Sequence, residues 1–161
     1  MKKFDYRRRK EMKTNYEKRY ALLKSKTPRI VVRLTNTRVI LQYVLHNAVG
    51  DNIKSTLSSS KLSEIGIKTK SYKSRLCGYL AGYYFGKQII AKKLGKDAIL
   101  DLGMQKVHDK GKLFGVLKGL VDSGLNIPHE ESILPTKEII LNGKDEKELA
   151  GYITKIDGLK F

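Results

Sequence analysis

The sequence predicts a mixed α/β domain with a basic N-terminal arm, and three observations predict it. Short runs rich in β-branched residues alternate with longer helical stretches, in the order strand, strand, strand, helix, strand, helix. The first three runs are joined by brief polar turns, as in an antiparallel meander. The fourth is reached through a long helix, and a strand–helix–strand crossover implies a partly parallel sheet covered by helices.

Residues 1–27 form the arm. Arg8 to Leu23 has good helix formers, with Met12, Tyr16, Tyr20 and Leu23 as a thin apolar stripe, so one helix is expected there, ordering on a partner. Residues 28–128 form the domain. Ile30-Val31-Val32 is its first strand, Thr35-Asn36-Thr37 turns, and Val39 to Leu45 runs back. Val49-Gly50-Asp51-Asn52 turns again into Ile53–Ser58, a more polar strand suited to the sheet edge. A basic, serine-rich loop follows from Ser59 to Ser71.

Ser71 is suited to cap a helix from Tyr72 to Leu94, closed by Gly95. Gly78, Gly82 and Gly86 recur every four residues along it. Each costs a helix about 0.5–1 kcal/mol relative to Ala, so close packing of its backbone against the sheet is expected to compensate. Ala98 to Leu102 is the fourth strand, Gly103 to Lys112 a loop, and Leu113 to Val121 a second helix ended by Gly124. Residues 129–161 read as a C-terminal tail with a short helix at Asp145–Lys155.

Charge points to the partner. The chain has 33 Lys and Arg against 16 Asp and Glu, a net +17. Residues 1–29 hold 12 basic and 3 acidic side chains, residues 53–95 hold 9 and 1, and from Lys96 onward 10 basic residues meet 11 acidic ones. A field this lopsided implies a polyanion. Solubility alone needs a net charge of only about 2–8, usually interspersed.

The candidate contacts follow the same map. Tyr6 adjoins Arg7, Arg8, Arg9 and Lys10, with Lys13, Tyr16 and Arg19 beyond; guanidinium groups match phosphates and tyrosine rings stack on unpaired bases. Arg29 enters the first strand, and Arg33 and Arg38 flank the hairpin turn that carries Asn36, a fork suited to structured RNA backbone. Lys68, Lys70, Tyr72, Lys73 and Arg75 lead into a helix N-terminus, as do Lys106, Lys110 and Lys112, and free N–H groups there attract phosphate.

These strings resemble a known family. Tyr6-Arg7-Arg8-Arg9 with Tyr16 and Arg19, Pro28-Arg29 entering Val31-Val32-Arg33, Ala98 to Gly103, and Gly124-Leu125-Asn126-Ile127-Pro128-His129 are similar to the archaeal and eukaryotic-type 5S rRNA-binding large-subunit ribosomal protein, the eighteenth in bacterial numbering. Ile133-Leu134-Pro135 extends the match, which covers residues 4–136. The resemblance implies a ribonuclease-H-like topology and a cytoplasmic, ribosomal protein without cofactor. Its implied partners are 5S rRNA, large-subunit rRNA and neighbouring large-subunit proteins. The sequence departs from that family at Gln105-Lys106-Val107-His108, where a Pro- and Thr-containing loop is usual.

Other chemistry is poorly supported. Two-metal hydrolysis needs clustered carboxylates, and the candidates Asp97, Asp101 and Asp122 are spread, with none in the first two strands. Asp101 reads instead as an acceptor organising its loop. His46, His108 and His129 show no ligand spacing, and Gly82 to Lys87 is one residue short of a phosphate-binding loop. A lone cysteine, Cys77, excludes a disulfide and reads as buried. A DNA-compacting protein is a further alternative, without a groove-reading motif to support it. No signal segment or membrane span is expected, since arginines stand where an apolar stretch is needed and the longest apolar run is broken by glycines.

Overall fold

The computed structural model describes residues 5–67, 69, 71–141, 143 and 145–159. Strands β1 (Arg29–Leu34), β2 (Val39–Leu45), β3 (Asn52–Ser58) and β4 (Ile99–Asp101) form one sheet in the order β3-β2-β1-β4. The first three pair antiparallel, and β4 joins β1 in parallel, Val31 opposite Asp101. Both expectations for the sheet are met, including β3 at an edge. Alternation along the strands sends Ile30, Val32, Leu41, Tyr43 and Leu57 into the core. Arg29, Val31 and Arg33 take the opposite face.

Helix α3 (Arg75–Ala91) lies at the centre of the molecule, with 12 of its 17 residues buried. A helix buried on every side has no polar stripe, and this one has none until Lys87. It begins one turn later than expected. Ser74, not Ser71, is the cap, its hydroxyl accepting from the Cys77 amide at 3.2 Å.

The glycine stripe of α3 meets another helix rather than the sheet. A Cβ at Gly82 would lie 2.3 Å from the Val116 carbonyl, and one at Gly119 would lie 2.1 Å from the Tyr79 carbonyl. Gly78 faces Lys112 and Val116, and Gly86 faces Leu120 and Ser123, so α3 and α4 (Lys112–Asp122) run in the same direction backbone to backbone. Period-four glycines report a close approach but not the partner.

The C-terminal stretch is built into the same core. Helices α5 (Lys137–Leu141) and α6 (Glu146–Asp157) bury Ile140, Leu141, Leu149 and Ile156 in one cluster with the sheet and α3. The Tyr83 hydroxyl donates to Asp157 at 2.9 Å, and Lys87 Nζ approaches the same carboxylate at 3.1 Å. Cys77 is buried, as expected. No helix among the described residues is long and apolar enough to cross a membrane.

Candidate nucleic-acid interface

The arm is two helices, not the single one expected. Its first, α1, spans Arg7–Lys10, and α2 spans Tyr16–Lys24. Met12 takes a left-handed φ of 52° between them, and the Asn15 side chain caps α2 by accepting from the Lys18 amide at 3.0 Å. Neither helix buries a residue, so propensity and capping do not explain where the arm sits. An ion network does.

Arg29, expected at the RNA surface, is 2% exposed. Its Nη1 donates to Asp101 Oδ2 at 2.9 Å, and its Nη2 lies 2.8 Å from Asp51 Oδ2, an ion-pair contact outside hydrogen-bond alignment. Asp51 Oδ2 also accepts from Arg19 Nη2 of the arm at 2.7 Å, while Asp101 Oδ1 lies 3.3 Å from Arg33 Nη2. Charges thus alternate from Arg19 through Asp51, Arg29 and Asp101 to Arg33, tying arm, β2–β3 turn, β1 and β4 together. A guanidinium can bridge two carboxylates on separate elements because its donors point apart in a fixed plane. Burial raises the Asp51 pKa, but Arg29, Arg19 and His46 outweigh it and hold the group below its ordinary value.

Asp101 is also the loop organiser expected of it, accepting from the Gly103 amide at 2.9 Å. The next latch is Gln105. Its Oε1 accepts from the Leu34 amide at 2.7 Å, and its Nε2 donates to the Val32 and Leu102 carbonyls at 2.7 and 3.0 Å. One side-chain amide thereby extends the β1 ladder beyond the end of β4. Replacing it, Gln105→Ala, should leave the Leu34 amide without this acceptor and the two carbonyls with one donor fewer, at a cost of about 1–3 kcal/mol. Faster hydrogen exchange at the Leu34 amide would report the loss, and unchanged exchange would show that the loop holds itself.

The latched loop and α2 enclose a groove of about 580 Å³. Arg8, Lys13, Lys18, Arg19 and Arg33 line it with one acid, Asp101, while Leu22, Leu100, Leu102, Met104 and Val107 supply apolar surface. Six of the arm residues singled out from sequence are exposed, namely Tyr6, Arg7, Arg8, Arg9, Lys10 and Lys13, of which Arg8 and Lys13 line the groove. Tyr16 is half-buried with its ring centroid 5.2 Å from that of Tyr6. Glu11 takes part of the charge, pairing with Arg7 and Lys13 at 2.8 Å each, contacts worth little on an exposed surface. Lys13 and Arg7 hold the Glu11 carboxyl below its usual range.

The remaining candidates divide. Asn36 and Arg38 are exposed on the β1–β2 turn, which Thr35 closes by hydrogen bonds to Arg38. Lys106, Lys110 and Lys112 are exposed beside the start of α4. Arg75 is half-buried, and its Nη1 donates to the Ile139 carbonyl at 3.0 Å, which commits it to α5. Tyr72 and Lys73 are half-buried ahead of α3. Lys68 and Lys70 lie outside the described residues. Sequence reasoning passed over Asp51 and Gln105; an acid in so basic a half, and a departure from the family's usual loop, were the signals available.

Among the described residues no group of three His, Cys, Asp or Glu side chains is placed to hold a metal ion. Asp97 accepts from Asn126 at 2.8 Å and Asp122 from Tyr79 at 3.0 Å, each with a partner outside the Asp101 network.

Comparison with known proteins matches this architecture to a family. Residues 2–98 fit the family described as ribosomal large subunit proteins 60S L5 and 50S L18. The large ribosomal subunit protein uL18 of Thermoplasma volcanium is 40% identical over 136 residues, 84% of this chain and 82% of the relative. That of Methanoculleus marisnigri is 41% identical over 133 residues, 83% and 75% of the two chains. That of Korarchaeum cryptofilum is 40% identical over 156 residues, 96% and 76%. With the family matching over half the chain, and relatives over most of it, the chain belongs to the ribosomal large subunit proteins 60S L5 and 50S L18, structural constituents of the large subunit.

Proposed function

We propose that this chain binds 5S rRNA and helps dock it onto the large subunit, against large-subunit rRNA and neighbouring ribosomal proteins. The observation that carries this is the groove between α2 and the β4–α4 loop, where five cations face one acid beside the exposed basic run of the arm. Arg7, Arg8, Arg9, Lys10, Lys13 and Arg19 contact the RNA from the arm, Tyr6 and Tyr16 beside them, and Asn36 and Arg38 from the hairpin turn. Lys106, Lys110 and Lys112 extend that surface. Phosphate contacts supply most of the affinity, and shape and unpaired bases supply the preference for one RNA. Arg29 serves by position: it holds Asp51, and through it the arm.

The test is a titration of the full chain against 5S rRNA and a shuffled RNA of equal length over a salt series. Six or more phosphate contacts should weaken binding about a thousandfold or more between about 50 and about 200 mM salt. A preference for 5S rRNA that persists near physiological salt supports the reading. Equal affinity for both RNAs overturns it and leaves a generic polyanion surface.

A further inference from the structure

We infer that Arg33 is a stacking platform for one unpaired RNA base rather than a fork for phosphate, an inference that rests on the RNA-binding reading above. Both terminal nitrogens of its guanidinium are already engaged. Nη1 donates to the Val32 and Asp101 carbonyls at 2.8 and 2.9 Å, and Nη2 lies 3.3 Å from Asp101 Oδ1. A phosphate arriving at this group finds its terminal nitrogens taken and a carboxylate beside them.

The faces of the guanidinium differ. A Cβ built on Gly103 would lie 2.9, 2.9 and 3.1 Å from Cζ, Nη2 and Nη1. An in-plane approach between the two terminal nitrogens would bring them nearer than Cζ; near-equal distances place Gly103 over the plane. One face therefore rests on the glycine backbone, whose φ of +62° and missing side chain permit the contact. The side chain nevertheless remains 40% exposed. An immobilised guanidinium with one covered face, a part-exposed side chain and both terminal nitrogens engaged suits a base, because RNA bases stack on arginine planes.

The surroundings complete the site. The side chain lines the groove of about 580 Å³, where Leu102, Met104 and Val107 offer apolar surface to a base. Arg8, Lys13 and Lys18 also line it from the arm, cations placed for the flanking phosphates. The ligand class is thus a single extruded nucleotide within a structured RNA.

The test crosses protein and RNA variants. Arg33→Lys keeps the charge and removes the plane. It should bind 5S rRNA about tenfold more weakly, the scale of one lost stack, with the salt dependence of the wild type. Gly103→Ala disturbs the same guanidinium without touching its charge, and should reproduce the loss. A set of 5S rRNAs, each abasic at one unpaired position, then locates the base. At one position the missing base should cost the wild type about tenfold and cost Arg33→Lys nothing further. Wild-type affinity for Arg33→Lys, or a shallower salt slope, would overturn the platform by making Arg33 dispensable or a phosphate contact. So would a wild-type protein indifferent to every abasic position, whatever the variants do. Failure of the wider RNA reading is seen separately, as wild-type protein that does not distinguish 5S from shuffled RNA.

Discussion

Arg29→Ala should lower folding stability by about 3–5 kcal/mol, although the side chain lies on no recognised functional surface. The removed group is 2% exposed and faces Asp101, itself 10% exposed, and Asp51 at 25%. Deleting one partner of a buried pair leaves the other charge under-compensated, and this deletion takes the most buried cation from two carboxylates, leaving Asp51 with Arg19 and Asp101 with Arg33. The urea midpoint should fall by about 2 M for a slope of about 2 kcal/mol per molar. Arg29→Ala combined with Asp101→Asn should recover part of the loss, since the amide removes one under-compensated charge. A fall below about 1 kcal/mol in the single variant would mean that water reaches the site and solvates the acids.

The second large effect is Gly82→Ala. In an exposed helix this change stabilises by about 0.8–1 kcal/mol. Here the new methyl group would sit 2.3 Å from a backbone carbonyl of α4, and a backbone cannot swing aside as a side chain can. Separating α3 from α4 should outweigh the helix gain and leave a net loss of about 3 kcal/mol. Gly151→Ala is the control, because nothing lies within 4 Å of a Cβ placed there on α6. It should stabilise by about 0.5–1 kcal/mol. Thermal or urea unfolding of the two variants should therefore move in opposite directions, and movement in the same direction would show that the helices are not in contact as described.

The sheet was legible because each of its signals is local. β-Branched runs at Ile30–Val32 and Val39–Leu45, a polar turn between them, and a helix before Ala98 fix strand order and direction with few alternatives. The α3–α4 contact was half legible. Gly82 announces that something comes close, yet whether a sheet or a helix answers depends on chain nearly 40 residues downstream. The break in the arm was missed because Met12, Tyr16 and Tyr20 keep helical spacing across it. Asn15 can serve equally in a helix or at its cap, and only its bond to the Lys18 amide decides.

The candidate site was legible as charge and illegible as geometry. Counting Lys and Arg finds the arm, the hairpin and the loop before α4. It cannot tell Arg38, exposed at a turn, from Arg29, turned inward between two acids, since both are arginines near a strand. The distinction rests on Asp51 and Asp101, which lie 22 and 72 positions further along the chain and meet Arg29 only once the sheet is closed.

That separation bears on how the protein is made. Synthesis runs from the N-terminus, and a nascent chain ending at residue 95 holds 23 basic and 5 acidic side chains with neither β4 nor Asp101 present. Arg29 at that stage lacks one of its two anions, and α3 lacks α4, α5 and α6 to cover it. Contacts this distant in sequence are slow to form, and exposed intermediates of such folds are prone to associate. Completion of the native state is thus deferred until the near-neutral remainder emerges, and until then the most cationic part of the molecule stays incompletely folded.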